Sequence, residues 1–251
     1  MKKTILAANW KMYLNEINSI TFIKKLNSHK ELLSDKDIVL FPSHTCIRAV
    51  KDTLALDNVR VGMQDCNVFT EPFAMTGGVS LKSIDVDYCI VGHSETRYKT
   101  IVKVGDDNGL MGVKINNVLA FGGIKGIFCV GETKDEKLKG LTQDVIEKQL
   151  SVLGGETATF ADNNLTIAYE PVWSIGTGKI PTNNEIAQVL SFIKERLNSL
   201  CPGANVKLFY GGSVNENNVD ELLKIDLIDG FLIGSASANF DSFLEIIKKI
   251  K

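Results

Sequence analysis

The stretch LTIAYEPVWSIGTGKIPTNNEIAQVLSFIKERLNSL, residues 165–200, contains a complete strand–loop–helix unit. Its opening residues are almost continuously apolar, which is typical of a parallel strand covered by helices. In its second half, apolar residues recur at helical spacing at Ile186, Val189, Leu190, Ile193 and Leu197. Thr182 and Glu185 have the spacing of a capping box, which predicts that the helix begins there.

Seven further apolar runs match the strand of this unit. They occupy residues 4–10, 37–43, 59–65, 88–93, 126–132, 206–212 and 228–234. Most intervals between the runs are long enough for a crossover helix, and the first interval has apolar residues at helical spacing at Ile17, Ile20, Ile23 and Leu26. With no Pro/Ser-rich linker, this pattern predicts an α/β fold: a single (β/α)8 barrel over residues 1–251, with eight parallel strands surrounded by helices. The alternative is an open doubly wound sheet, but the turn after the first run, NWKMYLNE, lacks the glycines of its phosphate site.

The composition is that of a soluble globular protein, with 44% hydrophobic and 23% charged residues. A formal net charge of −2 gives no electrostatic reason to expect binding to nucleic acid or to an anionic membrane. No apolar run approaches the roughly 20 residues that span a bilayer, and the run at 5–8 is too short for a signal peptide. The five cysteines are odd in number and none is in CxxC spacing. Together these features predict reduced thiols and a cytoplasmic protein.

In a barrel of this kind, reactive groups lie where the strands end and the following loops begin. Polar residues and glycines stand at these positions: Asn9, Lys11, His93, Ser94, Glu95, Glu170, Gly211, Gly212, Ser213, Gly234 and Ser235. Strand alternation predicts that Asn9 and Lys11 share one face, and that His93 shares a face with Cys89 and Val91.

Each of these positions has two interpretations when taken alone. Glu170 is either a general base or a carboxylate that leaves the core for solvent. His93 is either a reacting group or a hydrogen-bonded structural residue, and Lys11 is either a charge for an anionic substrate or a lysine that reaches water. The glycines at 211–212 and 234 form either tight turns or phosphate-binding loops, and their presence on adjacent strands favours phosphate.

Several other chemistries are poorly supported. The GTGK at 176–179 is not a P-loop, because Trp173 and Ile180 occupy positions where that motif needs glycine and Ser/Thr. No histidines have metal-ligand spacing, and there is no HExxH or CxxC motif, so no metal is expected. The serines lack a GxSxG context, which argues against a serine hydrolase.

The motifs NWKM (9–12), GHSE (92–95), YEPVW.IGTGK (169–179), YGGSV (210–214) and DGFLIG.AS (229–237) together carry a family resemblance. In this order, and over the whole chain, they resemble the triosephosphate isomerase family. The resemblance implies a TIM barrel that interconverts dihydroxyacetone phosphate and D-glyceraldehyde 3-phosphate in glycolysis and gluconeogenesis, with an enediol(ate) intermediate and no cofactor. Two rivals are another phosphosugar isomerase or epimerase, and a non-catalytic sugar-phosphate-binding barrel.

The resemblance also implies roles for individual residues. Glu170 matches the base, His93 the neutral imidazole, Lys11 the cation, and Asn9 the neighbouring amide. The phosphate-binding positions are matched by Gly176, Ser213, Gly234 and Ser235, and supporting residues around them by Ser94, Glu95 and Trp173. Residues 171–181, here called the lid segment, match a mobile loop with hinges at 171–173 and 179–181.

The chain departs from the family pattern at several positions. Ser235 replaces a usual glycine, Ser174 a usual alanine, Gly78 a usual glutamate and Thr96 a usual arginine, and Val102 stands near another usual acid.

The family is usually dimeric, and residues 63–78, here called the arm segment, match the loop that inserts into the partner near Met12 and Tyr13. The apolar side chains of this segment need cover, which also favours an interface; they are Val68, Phe69, Phe73 and Met75.

Overall fold

The computed structural model describes residues 3–98, 106–175, 177 and 179–250. In this part of the chain, eight parallel strands close into a barrel in sequence order. The strands are β1 (Ile5–Asn9), β2 (Asp37–Phe41), β3 (Val59–Met63), β4 (Tyr88–Val91), β5 (Lys125–Val130), β6 (Leu165–Tyr169), β7 (Lys207–Tyr210) and β8 (Gly230–Ile233). All eight predicted runs are confirmed, and only β5 begins before its run, by one residue. The predicted barrel is therefore confirmed; the prediction of a single domain over residues 1–251 stays a prediction.

Helices surround the barrel on its outer side. In the described ranges they are α1 (Glu16–Asn27), α2 (Lys30–Leu33), α3 (Ile47–Thr53), α4 (Ser94–Tyr98), α5 (Asn108–Phe121), α6 (Lys134–Leu138), α7 (Thr142–Leu150), α8 (Glu156–Phe160), α9 (Asn183–Leu200), α10 (Val219–Leu222), α11 (Ser235–Ala238) and α12 (Phe240–Lys249). Short 3-10 helices lie at His44–Cys46, Leu81–Ser83, Ser151–Leu153 and Val172–Ser174. The capping box at Thr182 and Glu185 is confirmed at the start of α9. None of the described helices is long and apolar enough to cross a membrane.

Closure of the barrel depends on pairing between the first and last strands. Ile5 pairs with Gly230 of β8 on one side and with Asp37 of β2 on the other. The barrel then has two apolar layers. The inner layer consists of Ile5, Ala7, Val39, Phe41, Ile90, Ile127, Cys129, Ala168, Phe209 and Leu232. The larger layer packs the outer strand faces against the helices.

The buried face of the helix α1 is only partly the one its apolar spacing predicts, because Ile23 and Leu26 are buried but Ile17 is not. Its buried residues are Ser19, Phe22, Ile23 and Leu26, whereas Ile17 is exposed. Phe22 decides the orientation, because its ring packs 4.8 Å from Trp10 and 5.2 Å from Phe240, between centroids. Aromatic packing of this kind buries more area than one isoleucine offers.

Candidate active site

A cleft of about 260 Å³ opens at the carboxyl ends of the strands. Predicted site residues from five strand ends line it: Asn9, Lys11, His93, Glu170, Ser213, Gly234 and Ser235. Of the remaining predicted residues, Ser94, Glu95 and Trp173 lie around the cleft, and Gly176 lies outside the described residues. Among the residues that the structure describes, no group of three or more His, Cys, Asp or Glu side chains is arranged to hold a metal ion.

Strand β6 delivers Glu170 to the cleft. Ala168 faces the barrel interior, and Glu170 lies two residues further on the same face, only 2% exposed. Its Oε2 accepts a hydrogen bond of 2.9 Å from the Ser94 N–H, and its Oε1 lies 3.1 Å from His93 Nε2. Gly131 makes this position possible, because a Cβ there would overlap the Glu170 carbonyl. In this form the carboxylate is therefore bonded to the Ser94 N–H and lies beside the His93 imidazole.

His93 reaches the cleft by a route that strand alternation does not predict. The inward residue of β4 is Ile90, whereas Cys89 and Val91 pack in the outer layer, so the predicted shared face is wrong. Gly92 has a positive φ of 74°, which breaks the alternation after the strand ends. The Glu95 N–H donates to His93 Nδ1 at 3.2 Å. An Nδ1 that accepts leaves the proton on Nε2, so this network fits a neutral imidazole that donates toward Glu170.

Lys11 adopts a left-handed backbone with φ 48°, a conformation that costs energy for a residue with a Cβ. Neighbours hold it there: the Lys11 N–H donates to Asn9 Oδ1 at 3.1 Å, and its carbonyl accepts from Ser43 Oγ at 2.9 Å and Gln64 Nε2 at 2.8 Å. The ammonium forms an ion pair of 2.6 Å with Glu95 Oε1. A fixed positive charge therefore stands in the cleft, as expected for an anionic substrate.

The loops after β7 and β8 form the other end of the cleft. The Ser213 carbonyl accepts from Asn218 Nδ2 at 3.0 Å, and Ser237 Oγ donates to the Gly234 carbonyl at 2.7 Å. Helix α11 begins at Ser235, so the side chain there is accommodated in ordinary helical backbone. Both predicted glycine loops thus line the same cleft as the acid, the imidazole and the ammonium.

A family model described as triosephosphate isomerase matches residues 4–250. The chain belongs to the triosephosphate isomerase family. The triosephosphate isomerase of Carboxydothermus hydrogenoformans is 40% identical, over 99% of this chain and 99% of the relative. Those of Lawsonia intracellularis, at 36% identity over 98% and 97%, and Leptospira interrogans, at 37% over 98% and 100%, are also similar. Membership assigns the chain to an isomerase family whose reaction uses a triose phosphate.

One buried acid beside the cleft was missed by sequence reasoning. Glu132 is fully buried and accepts from Trp173 Nε1 at 2.8 Å and from the Tyr169 hydroxyl at 3.2 Å. Burial raises the pKa of the Glu132 carboxyl, and these hydrogen bonds act in the opposite direction. The signal was available, because an acid closes the run GIFCVGE as Glu170 closes LTIAYE. Glu132 fixes Trp173 at the first predicted hinge of the lid segment.

Two of the positions that depart from the family pattern lie beside a buried group of charges. Val102 lies outside the described residues, whereas Gly78 and Thr96 line a cavity of about 250 Å³. The Lys114 ammonium lies in the wall of this cavity, 2.9 Å from Asp65 Oδ2 and 2.7 Å from Asp106 Oδ2. This ion triad connects the arm segment to α5.

Proposed function

We propose that this chain interconverts dihydroxyacetone phosphate and D-glyceraldehyde 3-phosphate by proton transfer through an enediol(ate), in glycolysis and gluconeogenesis. The observation that carries the proposal is the 3.1 Å approach of Glu170 Oε1 to His93 Nε2, in one cleft with the Lys11 ammonium. Removing a carbon-bound proton needs a base, and a donor at the oxygen where negative charge develops. The carboxylate and the imidazole supply this pair.

Each group has a distinct step in the proposed reaction. Glu170 takes the proton from one carbon of the substrate and returns it to the neighbouring carbon, so no redox cofactor is required. The His93 Nε2–H donates to the substrate oxygen, and a neutral ring can take that proton back. Lys11 and Asn9 stabilise the developing negative charge on the enediolate. Because Glu170 is bonded to the Ser94 N–H in the form described, its carboxylate must move when substrate enters.

The phosphate end of the substrate is assigned to the loops after β7 and β8. Backbone N–H groups at Ser213, Gly234 and Ser235 bind the phosphate oxygens, together with Gly176 of the lid segment. The enediolate phosphate loses phosphate readily in water, so we propose that the lid segment covers the cleft during turnover. The proximity of Glu170 to the first hinge links that movement to the base.

The test is a coupled isomerase assay of the purified protein in both directions. We expect turnover of both triose phosphates without added metal or cofactor. Binding of a triose phosphate without turnover identifies a non-catalytic barrel, and turnover of a different phosphosugar alone identifies another isomerase. Either result overturns the proposal.

Ser235→Gly should leave substrate binding equal or modestly tighter, with KM lowered by up to about threefold. The Ser235 side chain adds a Cβ and a hydroxyl at the phosphate end of the cleft, and glycine would leave the N–H with more room. Steady-state kinetics on D-glyceraldehyde 3-phosphate measure the effect. Clearly weaker binding in this variant would show instead that the hydroxyl is a phosphate ligand.

We propose that the protein is a cytoplasmic homodimer in which the arm segment and residues Met12 and Tyr13 contact the partner. Met12 is 93% exposed, and Phe73 of the arm segment is 66% exposed while its ring stacks on Phe69 at 4.4 Å. A cluster of exposed apolar side chains often marks a protein–protein interface. The stacked pair gives the patch a defined shape, which suits a specific contact.

Phe73→Lys should convert the proposed dimer to a monomer at micromolar concentration. Burying an ammonium without a partner costs several kcal/mol, which exceeds the free energy that the contacts of one side chain contribute to dimer formation. Light scattering after size exclusion measures the mass. Leu138→Lys is the matched control, because Leu138 is 74% exposed on α6, outside the arm segment, and should leave the mass unchanged. A monomeric wild-type protein would overturn the interface.

A further inference from the structure

The lid segment contains a serine whose side chain is fully buried although nearby residues of the segment are exposed. Ser174 is fully buried, whereas Thr177, Lys179 and Ile180 are all exposed. Ser174 ends the 3-10 helix Val172–Ser174 and lies four residues after Glu170. A fully buried hydroxyl this close to exposed residues implies a specific partner, since burial without one is costly.

That partner lies at the far end of the same segment. Ser174 Oγ donates a short hydrogen bond of 2.6 Å to the Lys179 carbonyl. A second bridge runs alongside, because the Lys179 N–H donates to Thr177 Oγ1 at 3.2 Å and that hydroxyl donates to the Ser174 carbonyl at 3.1 Å. Residue 174, directly after the first predicted hinge, and residue 179, at the start of the second, are therefore joined directly.

The joined ends are also attached to the phosphate end of the cleft. The Ser174 carbonyl accepts a hydrogen bond of 2.7 Å from Ser213 Oγ, on the loop after β7. The Tyr210 hydroxyl is buried close to Ser174 but outside hydrogen-bonding geometry. Ser174 thus connects three points: the first hinge, the second hinge and the proposed phosphate loop.

We infer that Ser174 is a positioning residue that holds the two ends of the lid segment together against the phosphate loop. With its ends joined, the segment keeps one shape, so binding of the phosphate group does not have to order it first. The inference rests on the proposed function, because it predicts that the ordered lid segment improves binding only of substrates that carry a phosphate. Ser174 itself touches no reacting atom and acts through Ser213 and the lid segment.

A purely structural role makes a different prediction. If Ser174 only completes a turn, its removal should lower thermal stability and affect every substrate equally. If it positions the lid segment, the loss should fall on phosphorylated substrates, because only these engage the segment and the loop at Ser213. The comparison of substrates with and without phosphate separates the two roles.

The experiment compares Ser174→Ala with the wild type on two substrates. For D-glyceraldehyde 3-phosphate we expect kcat/KM to fall about tenfold, the loss typical of one net hydrogen bond. For D-glyceraldehyde, followed by deuterium exchange at C2, we expect kcat/KM to change less than twofold. Ser19→Ala is the matched control, because Ser19 is also a fully buried serine but lies in α1, and it should change neither value.

A binding measurement keeps the inference separate from the proposed reaction. Titration with glycerol 3-phosphate, which cannot isomerise, should give a Kd about tenfold higher for Ser174→Ala and unchanged for Ser19→Ala. An inactive wild type that still shows this difference would reject the proposed function and support the role of Ser174. Equal losses on the two aldehydes, or no loss on the phosphorylated one, would overturn the inference.

Discussion

Shortening Glu170 to aspartate should lower kcat by about 10²- to 10³-fold without unfolding the protein. Glu170 is 2% exposed at the end of a rigid strand, with Oε2 bonded to the Ser94 N–H and Oε1 beside His93 Nε2. Aspartate keeps the charge but retracts it by one methylene group, and the rigid strand end cannot follow. A base displaced by about 1 Å loses alignment with the carbon-bound proton, which lowers kcat more than it raises KM.

The coupled isomerase assay measures this effect, and circular dichroism checks the fold. Glu170→Gln is the companion variant, because it keeps the length and removes the basicity. We expect the larger loss in Glu170→Gln, since no second carboxylate lines the described part of the cleft. A near wild-type kcat in Glu170→Asp would show that a different group removes the proton.

The barrel could be predicted because its signals are local. Each strand is a short apolar run, and the start of α9 is fixed by the side chains of Thr182 and Glu185 three residues apart. The ends of parallel strands meet at one side of a barrel, so naming the strands also predicts which polar residues share a cleft. Asn9, His93 and Glu170 follow from this rule alone.

The predictions that were wrong concern features that depend on packing or on backbone conformation outside the local pattern. Ile17 has the spacing of a buried residue, but Phe22 packs against Trp10 and Phe240 and turns the helix another way. His93 reaches the cleft through the positive φ of Gly92, which strand alternation cannot anticipate. The His93 error comes from extending the strand period beyond the end of β4, and the Ile17 error from using a helical period without the packing that decides which face is buried.

Partners far apart in sequence were also beyond sequence reasoning. Glu132 and Trp173 are 41 positions apart, and Ser174 is buried through its bonds with Lys179 and Ser213. Thr177, Lys179 and Ile180 of the lid segment are exposed, whereas Ser174 is fully buried. The burial of Ser174 becomes evident only when Lys179 and Ser213 are placed beside it.

The ion triad beside the arm segment is the clearest case of such a long-range partnership. Lys114 on α5 is 8% exposed in its side chain and lies between Asp65 of the arm segment and Asp106. The attraction of both carboxylates outweighs burial and raises the pKa of the Lys114 ammonium. Burial raises the pKa of the Asp65 carboxyl, although the ammonium opposes this. The triad thus holds three charges that are costly to bury singly.

Lys114→Met should lower the free energy of unfolding by about 3–5 kcal/mol at pH 8, because it leaves two carboxylates partly buried without a counter-ion. The decrease in unfolding free energy caused by this substitution should be smaller near pH 4.5. Without the ammonium the folded pKa of Asp65 rises further, so the folded state binds a proton that the unfolded state has released. Stability of the variant therefore falls as the pH rises above the unfolded value for aspartate. In the wild type, the raised pKa of Lys114 means that its contribution is lost only as the pH rises through that folded value, above 10.5.

Urea unfolding at the two pH values measures both effects, with Lys248→Met as the matched control. Lys248 forms an exposed pair with Glu245 one helical turn away, and removing it should cost less than about 1 kcal/mol at either pH. If Lys114→Met does not fold at pH 8, adding Asp65→Asn should restore folding, since it removes one of the two uncompensated charges. A cost below about 1 kcal/mol at pH 8, or a cost that does not change with pH, would mean that water or movement of the arm segment solvates the carboxylates. The triad would then contribute no more to stability than an exposed salt bridge does, and the position of the arm segment would have to be fixed by its apolar contacts alone.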